Sequence, residues 1–148
     1  MLILPPFIRL SPLVLSLNGE FVTCNPTSEN GHNYIMVAVD YFTKWAEALP
    51  TFKADGETAA LFLFNHVICR FGVPLSIVTD HGSHFQNHMM TELTSILGFR
   101  QDHSSSYYPQ ANGQVEAVNG VLKTMIRRLV GNHKNTWHRK LYSTLWAY

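Results

Sequence analysis

Charged residues are scarce in this chain, and the two signs nearly cancel. Only 14% of its 148 residues are charged, the net charge is +1, and 46% of the residues are hydrophobic. This composition is typical of a compact globular protein and excludes a highly charged, disordered tail. Because a chain of this length buries roughly 70% of its unfolded surface in one core, we expect one domain.

Cysteine and long apolar runs are also lacking. Cys24 and Cys69 form no C-x-x-C pair, which argues against a structural zinc site and against a disulfide-stapled secreted fold. No run approaches the ~20 apolar residues of a membrane span, and Pro5, Pro6 and Pro12 interrupt the apolar N-terminal stretch. We therefore expect an intracellular protein, nuclear or cytoplasmic, with no membrane partner.

The basic residues are concentrated near the C-terminus. From residue 113 to residue 148, six basic residues stand against one acidic residue, Glu116. The basic residues are Lys123, Arg127, Arg128, Lys134, Arg139 and Lys140. Such a concentration on a nearly neutral chain indicates a local surface for phosphate contacts.

Hydrophobic periodicity predicts alternating strands and helices. Apolar runs at 34–39 and 75–79 indicate buried strands, with a hairpin partner at 45–49 and a short strand at 99–103. Helices are predicted at 55–72, 89–97, 113–130 and 137–148, and a loop at 104–112. This alternation places the fold in the α/β class.

Two acidic residues occupy suggestive positions. Asp80 follows the predicted strand 75–79, and ligands of open α/β sheets collect at the carboxyl ends of strands. Glu116 shares one face of the helix 113–130 with Asn119, Lys123 and Arg127. Each acid also has a plainer explanation, since Asp80 can simply form a turn and Glu116 can favour the positive helix N-terminus. The core stripe of that helix is predicted as Val115, Val118, Leu122, Met125 and Leu129.

The segments around these two acids carry a family resemblance. Residues 79–85 (Thr-Asp-His-Gly-Ser-His-Phe) and 108–119 (Tyr-Pro-Gln-Ala-Asn-Gly-Gln-Val-Glu-Ala-Val-Asn) resemble the second and third motifs of retroviral and gypsy-type retrotransposon integrase cores. Thirty-five residues lie between Asp80 and Glu116, as in that family. The similarity includes residues 37–45 and extends from about Asn25 to Tyr148.

This resemblance implies a fold, a reaction and partners. The fold is ribonuclease H-like, a mixed five-stranded sheet flanked by helices. The DDE-type carboxylates of the family bind divalent metals, Mg²⁺ with Mn²⁺ as a substitute. The implied reaction is phosphoryl transfer in DNA 3′-end processing and strand transfer. The implied partners are retroelement ends, target DNA and further copies of the chain in a homo-oligomer.

The resemblance also assigns roles to residues. Asp80 and Glu116 match catalytic metal ligands of the family. Amides and basic side chains suit phosphates and base edges. The residues predicted to contact DNA are Asn112, Asn119, Lys123, Arg127 and, in the loop beside the site, Tyr107.

The first catalytic Asp of the family has no Asp counterpart here. In residues 17–24 its position falls on Gly19 or Glu20, depending on a one-residue slip. Glu20 is therefore the third candidate for a catalytic metal ligand, although its extra methylene exceeds the ~0.5 Å tolerance of a precise site. Asp40 matches a position that is not a metal ligand in the family, and a turn or packing role is expected for it.

Two functions remain open from the sequence. One is an integrase core made of residues 20–148, truncated at its C-terminus and preceded by an atypical segment 1–19, as a fragment of a retroelement polyprotein. The alternative is a catalytically inactive, integrase-derived domain that binds nucleic acid or protein through its basic C-terminal third. A different ribonuclease H-like nuclease would lack the motif at 109–119.

Overall fold

The elements of secondary structure alternate between strands and helices. The computed structural model describes residues 14–17, 22–40, 44–79, 86–103 and 109–148. In these ranges the strands are β1 (Val14–Leu17), β2 (Val22–Thr23), β3 (Tyr34–Asp40), β4 (Ala46–Thr51), β5 (Ser76–Thr79) and β6 (Arg100–His103). The helices are α1 (Gly56–Phe62), α2 (Cys69–Phe71), α3 (His88–Leu97), α4 (Pro109–Val130) and α5 (Trp137–Ala147). A π-helical segment, Leu63–Ile68, joins α1 to α2, and a 3-10 turn, Lys134–Thr136, precedes α5.

All six described strands belong to one mixed sheet. β4 pairs antiparallel with β3 over its whole length, so β1 and β2 both lie along the other edge of β3. β1 is parallel to β5, and β5 is parallel to β6. The mixed α/β architecture agrees with the sequence, but the predicted count of five strands is not confirmed. The described ranges contain six because two short strands, β1 and β2, share one edge of β3.

The pairing register changes between β1 and β2. Leu17 is opposite Ala38, whereas Val22 is opposite Ile35. From Leu17 to Val22 the chain advances five residues, whereas their partners on β3, Ala38 and Ile35, are three residues apart. The pairing register therefore differs by two residues between β1 and β2. β1 itself lies before residue 20, inside the segment predicted to be atypical, and yet it pairs with both β3 and β5.

The sheet separates two hydrophobic cores, because successive strand residues point to opposite faces. On one face Met36, Ala38 and Ile77 pack against buried residues of α1, the π-helical segment and α3. On the other face Ile35, Val37 and Val39 pack against α4 and α5. The result is a three-layer arrangement in which α4 lies on one face of the sheet.

Local signals set most helix ends. The carboxylate of Asp55 accepts a hydrogen bond of 2.9 Å from the backbone of Thr58, which confirms it as the N-cap of α1. Gly98 ends α3 with a φ of 74°, a left-handed conformation that favours glycine. Among the helices of the described ranges, none has the length and hydrophobicity of a membrane span.

Helix α4 differs from its prediction at its start and on its buried face. It begins at Pro109, four residues before the predicted start, because proline has a preset φ and needs no hydrogen bond in the first helical turn. Asn112 therefore belongs to the helix, not to a loop. Among the described side chains, the buried stripe includes Ile126 and Val130, whereas Leu129 is half exposed. The predicted core residues Val118 and Leu122 are buried as expected, and packing against the sheet and α5 adds Ile126 and Val130 in place of Leu129.

Candidate active site

The parallel strands bring their carboxyl ends to one edge of the sheet. β5 ends at Thr79, directly before position 80, and Thr79 is opposite His103 at the end of β6. β1 runs in the same direction on the other side of β5. This edge is where open α/β sheets bind ligands. Three of the predicted site residues, Asp80, Glu20 and Tyr107, lie outside the described residues.

Helix α4 crosses the sheet on the face that it shares with α5. It contacts both β1 and β3. Positions 112 and 116 both lie on this helix, while the side chains of Asn112 and Glu116 are outside the described part of the structure. The helix that contains position 116 therefore packs on the sheet layer that contains β1 and β3.

Asn119 lies about one turn after position 116, and it is buried. Its side chain is 8% exposed, and no hydrogen-bond partner of its Oδ1 is present in the described ranges. An unpaired buried amide oxygen is unfavourable, so such a group suggests a binding role. The sequence predicted one polar face for Asn119, Lys123 and Arg127, but only Lys123 and Arg127 are exposed.

Lys123 and Arg127 line a cavity of about 530 Å³ beside α4. Neither takes part in a salt bridge within the described residues. By contrast, Arg139 pairs with Glu29, and Arg70 pairs with Glu47 at 2.7 Å. The two helix residues thus remain available for an anionic ligand, as the DNA-contact prediction requires.

Cys24 lies in the same cavity and contributes no negative charge. Burial raises the pKa of its thiol to about 11, although the nearby charge of Lys123 lowers it in part. The thiol is therefore protonated at neutral pH. Its presence leaves the positive charge of the cavity intact.

The cavity includes residues to which the sequence assigned no site role. Asn25, Lys134 and Trp137 line it together with α4. Lys134 belonged to the recognised basic concentration, but nothing in the linear pattern placed it beside Asn25, which is more than a hundred residues away. Only tertiary contacts bring these positions together.

A metal site would have to use oxygen donors of this edge. In the described part of the chain, no group of three His, Cys, Asp or Glu side chains is placed to hold a metal. The residue types at positions 80, 116 and 119 are two carboxylates and one amide, which are hard oxygen donors suited to Mg²⁺. The unpaired Oδ1 of Asn119 is compatible with such a donor set.

Taken together, the mixed sheet and the helical layers on its two faces define a ribonuclease H-like α/β domain. The family model described as integrase core domain matches residues 17–109, which is more than half of the chain. The chain belongs to the integrase core domain family.

Relatives of known sequence are polyproteins of retroelements. The chain is 34% identical over 103 residues to the Gag-Pol polyprotein of avian reticuloendotheliosis virus, covering 70% of this chain. It is 32% identical over 123 residues to the transposon Tf2-3 polyprotein of Schizosaccharomyces pombe, covering 82% of this chain. In each case the match spans 9% of the polyprotein.

Solved structures share the fold. The catalytic core domain of BIV integrase matches with a TM-score of 0.75 and 23% identity, over 93% of this chain and 83% of that one. A chain of the simian T-cell lymphotropic virus intasome in complex with PP2A regulatory subunit B56 gamma matches with a TM-score of 0.78 and 24% identity. That match covers 93% of this chain and 48% of the other.

Proposed function

We propose that this domain is a divalent-metal-dependent polynucleotidyl transferase that cuts and joins DNA ends. The observation that carries the proposal is that β5 ends directly before Asp80, while α4, which contains position 116, packs against the neighbouring strand β1. Membership of the integrase core family supports the same reaction class.

Each residue of the proposed site has a distinct task. Asp80 and Glu116 hold the metal, and Asn119 adds or orients an oxygen donor. When bound, divalent ions of this kind activate an attacking oxygen and stabilise the leaving oxygen of a phosphodiester. Lys123 and Arg127 fix the DNA through its phosphates, which aligns the scissile bond with the carboxylates. Mg²⁺ is the proposed cofactor, and Mn²⁺ its substitute.

Glu20 is proposed as the first carboxylate in place of the family Asp. Position 20 falls between β1 and β2 in the chain. A side chain that is longer by one methylene is a poor substitute for a precisely placed Asp. We therefore propose that strand transfer by this chain is weak or absent, although Asp80 and Glu116 can still bind one metal.

A second candidate function is nucleic-acid binding without catalysis. Lys123, Arg127, Arg128 and Lys134 are exposed and form no salt bridge within the described residues. They supply phosphate contacts whether or not a metal is bound. This function requires no first carboxylate.

We also propose that the domain associates with further copies of itself and acts as part of a longer polyprotein product. The match to a chain of an intasome and the exposed aromatic residues of α5 support self-association. The match to 9% of each polyprotein supports a role as part of a longer polyprotein product. The proposed core domain is 20–148, preceded by the atypical segment 1–19, whose strand β1 forms part of the sheet.

The test is a DNA-joining assay on a branched substrate with Mg²⁺ or Mn²⁺. Asp80→Asn and Glu116→Gln should each abolish any joining or cleavage and weaken metal binding measured by calorimetry. Glu92→Gln is the matched control, because it removes the same charge from an exposed position on α3. Activity that survives Glu116→Gln contradicts the site, and metal binding with no activity in any variant favours the second function.

A further inference from the structure

Two histidine rings meet where the segment after β2 contacts α5. His32 lies in the connection between β2 and β3, and His138 lies in the first turn of α5. Their ring centres are 5.4 Å apart, and the ring planes are inclined by 36°. Because the two positions are far apart in the chain, only the tertiary structure makes them neighbours.

The ring of His138 contains a buried nitrogen that lacks a partner. The residue is 8% exposed, and no hydrogen-bond partner of its Nδ1 is present in the described ranges. Since buried polar atoms are nearly always paired, such an atom suggests a binding role. A neutral imidazole is the commonest metal ligand among side chains. Nδ1 of His138 is therefore a candidate metal ligand.

The ring of His32 is held from two sides. Its Nδ1 lies 3.0 Å from the hydroxyl oxygen of buried Ser28, and the backbone N–H of His32 donates a hydrogen bond of 2.9 Å to the same oxygen. The ring also stacks on Phe52, with 4.3 Å between the ring centres. Histidine ligands use one ring nitrogen for the metal and the other for a hydrogen bond that orients the ring. The contact with Ser28 therefore leaves Nε2 of His32 as the nitrogen that can bind a metal.

The spacing of the two rings suits one shared ion. Zn²⁺ binds imidazole nitrogens at about 2.0–2.1 Å in a tetrahedral arrangement, which places the centres of two bound rings about 5 Å apart. The observed distance between the ring centres of His32 and His138 is 5.4 Å. Packing of two neutral rings accounts for this distance but not for the unpaired Nδ1 of His138.

The chemistry of the pair favours a transition metal over Mg²⁺. Imidazole nitrogens suit Zn²⁺, Cu²⁺ and Ni²⁺, whereas Mg²⁺ prefers oxygen. Among the described residues, no third His, Cys, Asp or Glu completes a metal-binding group with this pair, so water fills the remaining positions. His32 is only partly buried, which gives the ion a path to solvent. The neighbouring Arg139 pairs with Glu29, so its positive charge is compensated.

We propose that His32 and His138 bind one divalent transition-metal ion of the Zn²⁺ type, which links the β2–β3 connection to α5. These segments are already in contact, because the backbone N–H of Glu29 donates a hydrogen bond of 2.9 Å to the backbone oxygen of Asn135. An ion that binds only the folded arrangement stabilises it. The site is independent of the proposed carboxylate site, since it shares no residue with it.

Calorimetric titration with Zn²⁺ tests the site, with excess Mg²⁺ present to occupy the carboxylates. The unmodified chain should bind Zn²⁺, and its melting temperature should rise as the Zn²⁺ concentration increases. Ser28→Ala should lower the affinity by about tenfold, a usual cost of losing a group that orients a ligand, and His32→Gln and His138→Gln should each lower it further. The double variant should bind about as weakly as either single variant, because the two rings act as one site.

Two control variants separate the pair from other metal-binding side chains. His88→Gln removes an exposed histidine whose Nδ1 lies 3.5 Å from the carboxylate of Glu92, and Cys69→Ser removes an exposed thiol. Both should bind Zn²⁺ like the unmodified chain. Thermal melting without Zn²⁺ checks that every variant is folded.

X-ray absorption of the unmodified chain loaded with Zn²⁺ requires no variant. The spectrum should show two imidazole ligands, with oxygen in the remaining positions. This measurement tests the site even if His138→Gln fails to fold.

Several outcomes would overturn the histidine site. They are undiminished Zn²⁺ binding in the double variant, an equal loss of binding in His88→Gln, and a spectrum with thiolate or with fewer than two imidazole ligands. Glu116→Gln should leave Zn²⁺ binding unchanged, and a loss there would assign the ion to the carboxylates instead. Zn²⁺ binding that depends on both His32 and His138 supports the site whether or not the chain joins DNA.

Discussion

The indole nitrogen of Trp137 donates a hydrogen bond of 2.9 Å to the backbone oxygen of Pro26, across 111 residues of chain. Trp137 is buried at the start of α5, and Pro26 follows β2. The bond therefore holds the segment after β2 against the helical layer. It also holds together two walls of the cavity beside α4.

Replacing Trp137 with Phe should lower the free energy of unfolding by about 1–2 kcal/mol, because the carbonyl of Pro26 loses its partner and the core loses part of a ring. Urea denaturation measures the change. Trp146→Phe is the control, since Trp146 is 84% exposed, and it should change stability by no more than about 0.5 kcal/mol. Equal losses in both variants would contradict a specific role for the bond.

Shortening the side chain at position 20 should raise catalysis if Glu20 is the misplaced first carboxylate. We expect the unmodified chain to join DNA poorly and Glu20→Asp to increase the rate by about tenfold or more, since a metal role is worth several kcal/mol. Glu57→Asp, the same change at an exposed position of α1, should have no effect. A high rate of DNA joining by the unmodified chain would contradict the prediction that Glu20 is a misplaced first carboxylate.

The salt dependence of DNA binding should report the phosphate contacts of α4. Each contact contributes about 0.9 to the slope of log affinity against log salt for duplex DNA. Lys123→Gln should therefore reduce the slope by about one. Lys53→Gln, at an exposed position after β4, should leave the slope unchanged. A slope that is flat in the unmodified chain would exclude phosphate contacts.

The stability of the fold should decrease in mild acid because of His32. Its ring stacks on Phe52 at 4.3 Å and lies 5.4 Å from the ring of His138. Desolvation and then the charge of His138 lower the pKa of His32. The unfolded chain therefore takes up this proton first. The stability that neutral His32 contributes is fully present above the ordinary histidine pKa of about 6.5. It is lost as the pH falls from there through the lower pKa that His32 has in the folded chain.

Unfolding experiments between pH 5 and pH 7.5 test this linkage. His32→Gln should flatten the acid part of the stability profile, because the group with the lowered pKa is gone. His133→Gln is the control at an exposed position in the turn after α4, and its profile should follow that of the unmodified chain. An identical profile for His32→Gln would contradict the prediction.

Self-association should depend on the aromatic surface of α5. Trp146 is 84% exposed and meets Trp45 edge to face at 6.5 Å, while Tyr142 is half exposed on the same helix. Burying such aromatic side chains between copies is favourable. Trp146→Lys should therefore shift the chain toward monomer in sedimentation experiments.

Ile96→Lys provides the matched control for self-association. Ile96 is 78% exposed on α3, which packs on the opposite face of the sheet from α5. This variant should associate like the unmodified chain. Dissociation caused by Ile96→Lys but not by Trp146→Lys would place the interface on α3 instead.

Much of the order of elements could be predicted from the sequence because its signals are local. The run at 34–39 has no charged residue and forms β3, Asp55 caps α1, and Gly98 ends α3. The family was also recognised from short motifs around Asp80 and Glu116, and the family match confirms it. The roles of Asp80, Glu116, Glu20 and the DNA-contact residues remain predictions.

By itself, then, the sequence determined the α/β class, most helix and strand positions and the family, because caps, periodicity and motif spacing act within a few residues of chain. The tertiary structure alone decided which side of α4 is buried, why Leu129 is exposed and Asn119 is not, and where the register shifts between β1 and β2. It also brought Asn25 to the same cavity as Lys134. These features depend on packing between segments far apart in the chain, and no local pattern encodes that packing.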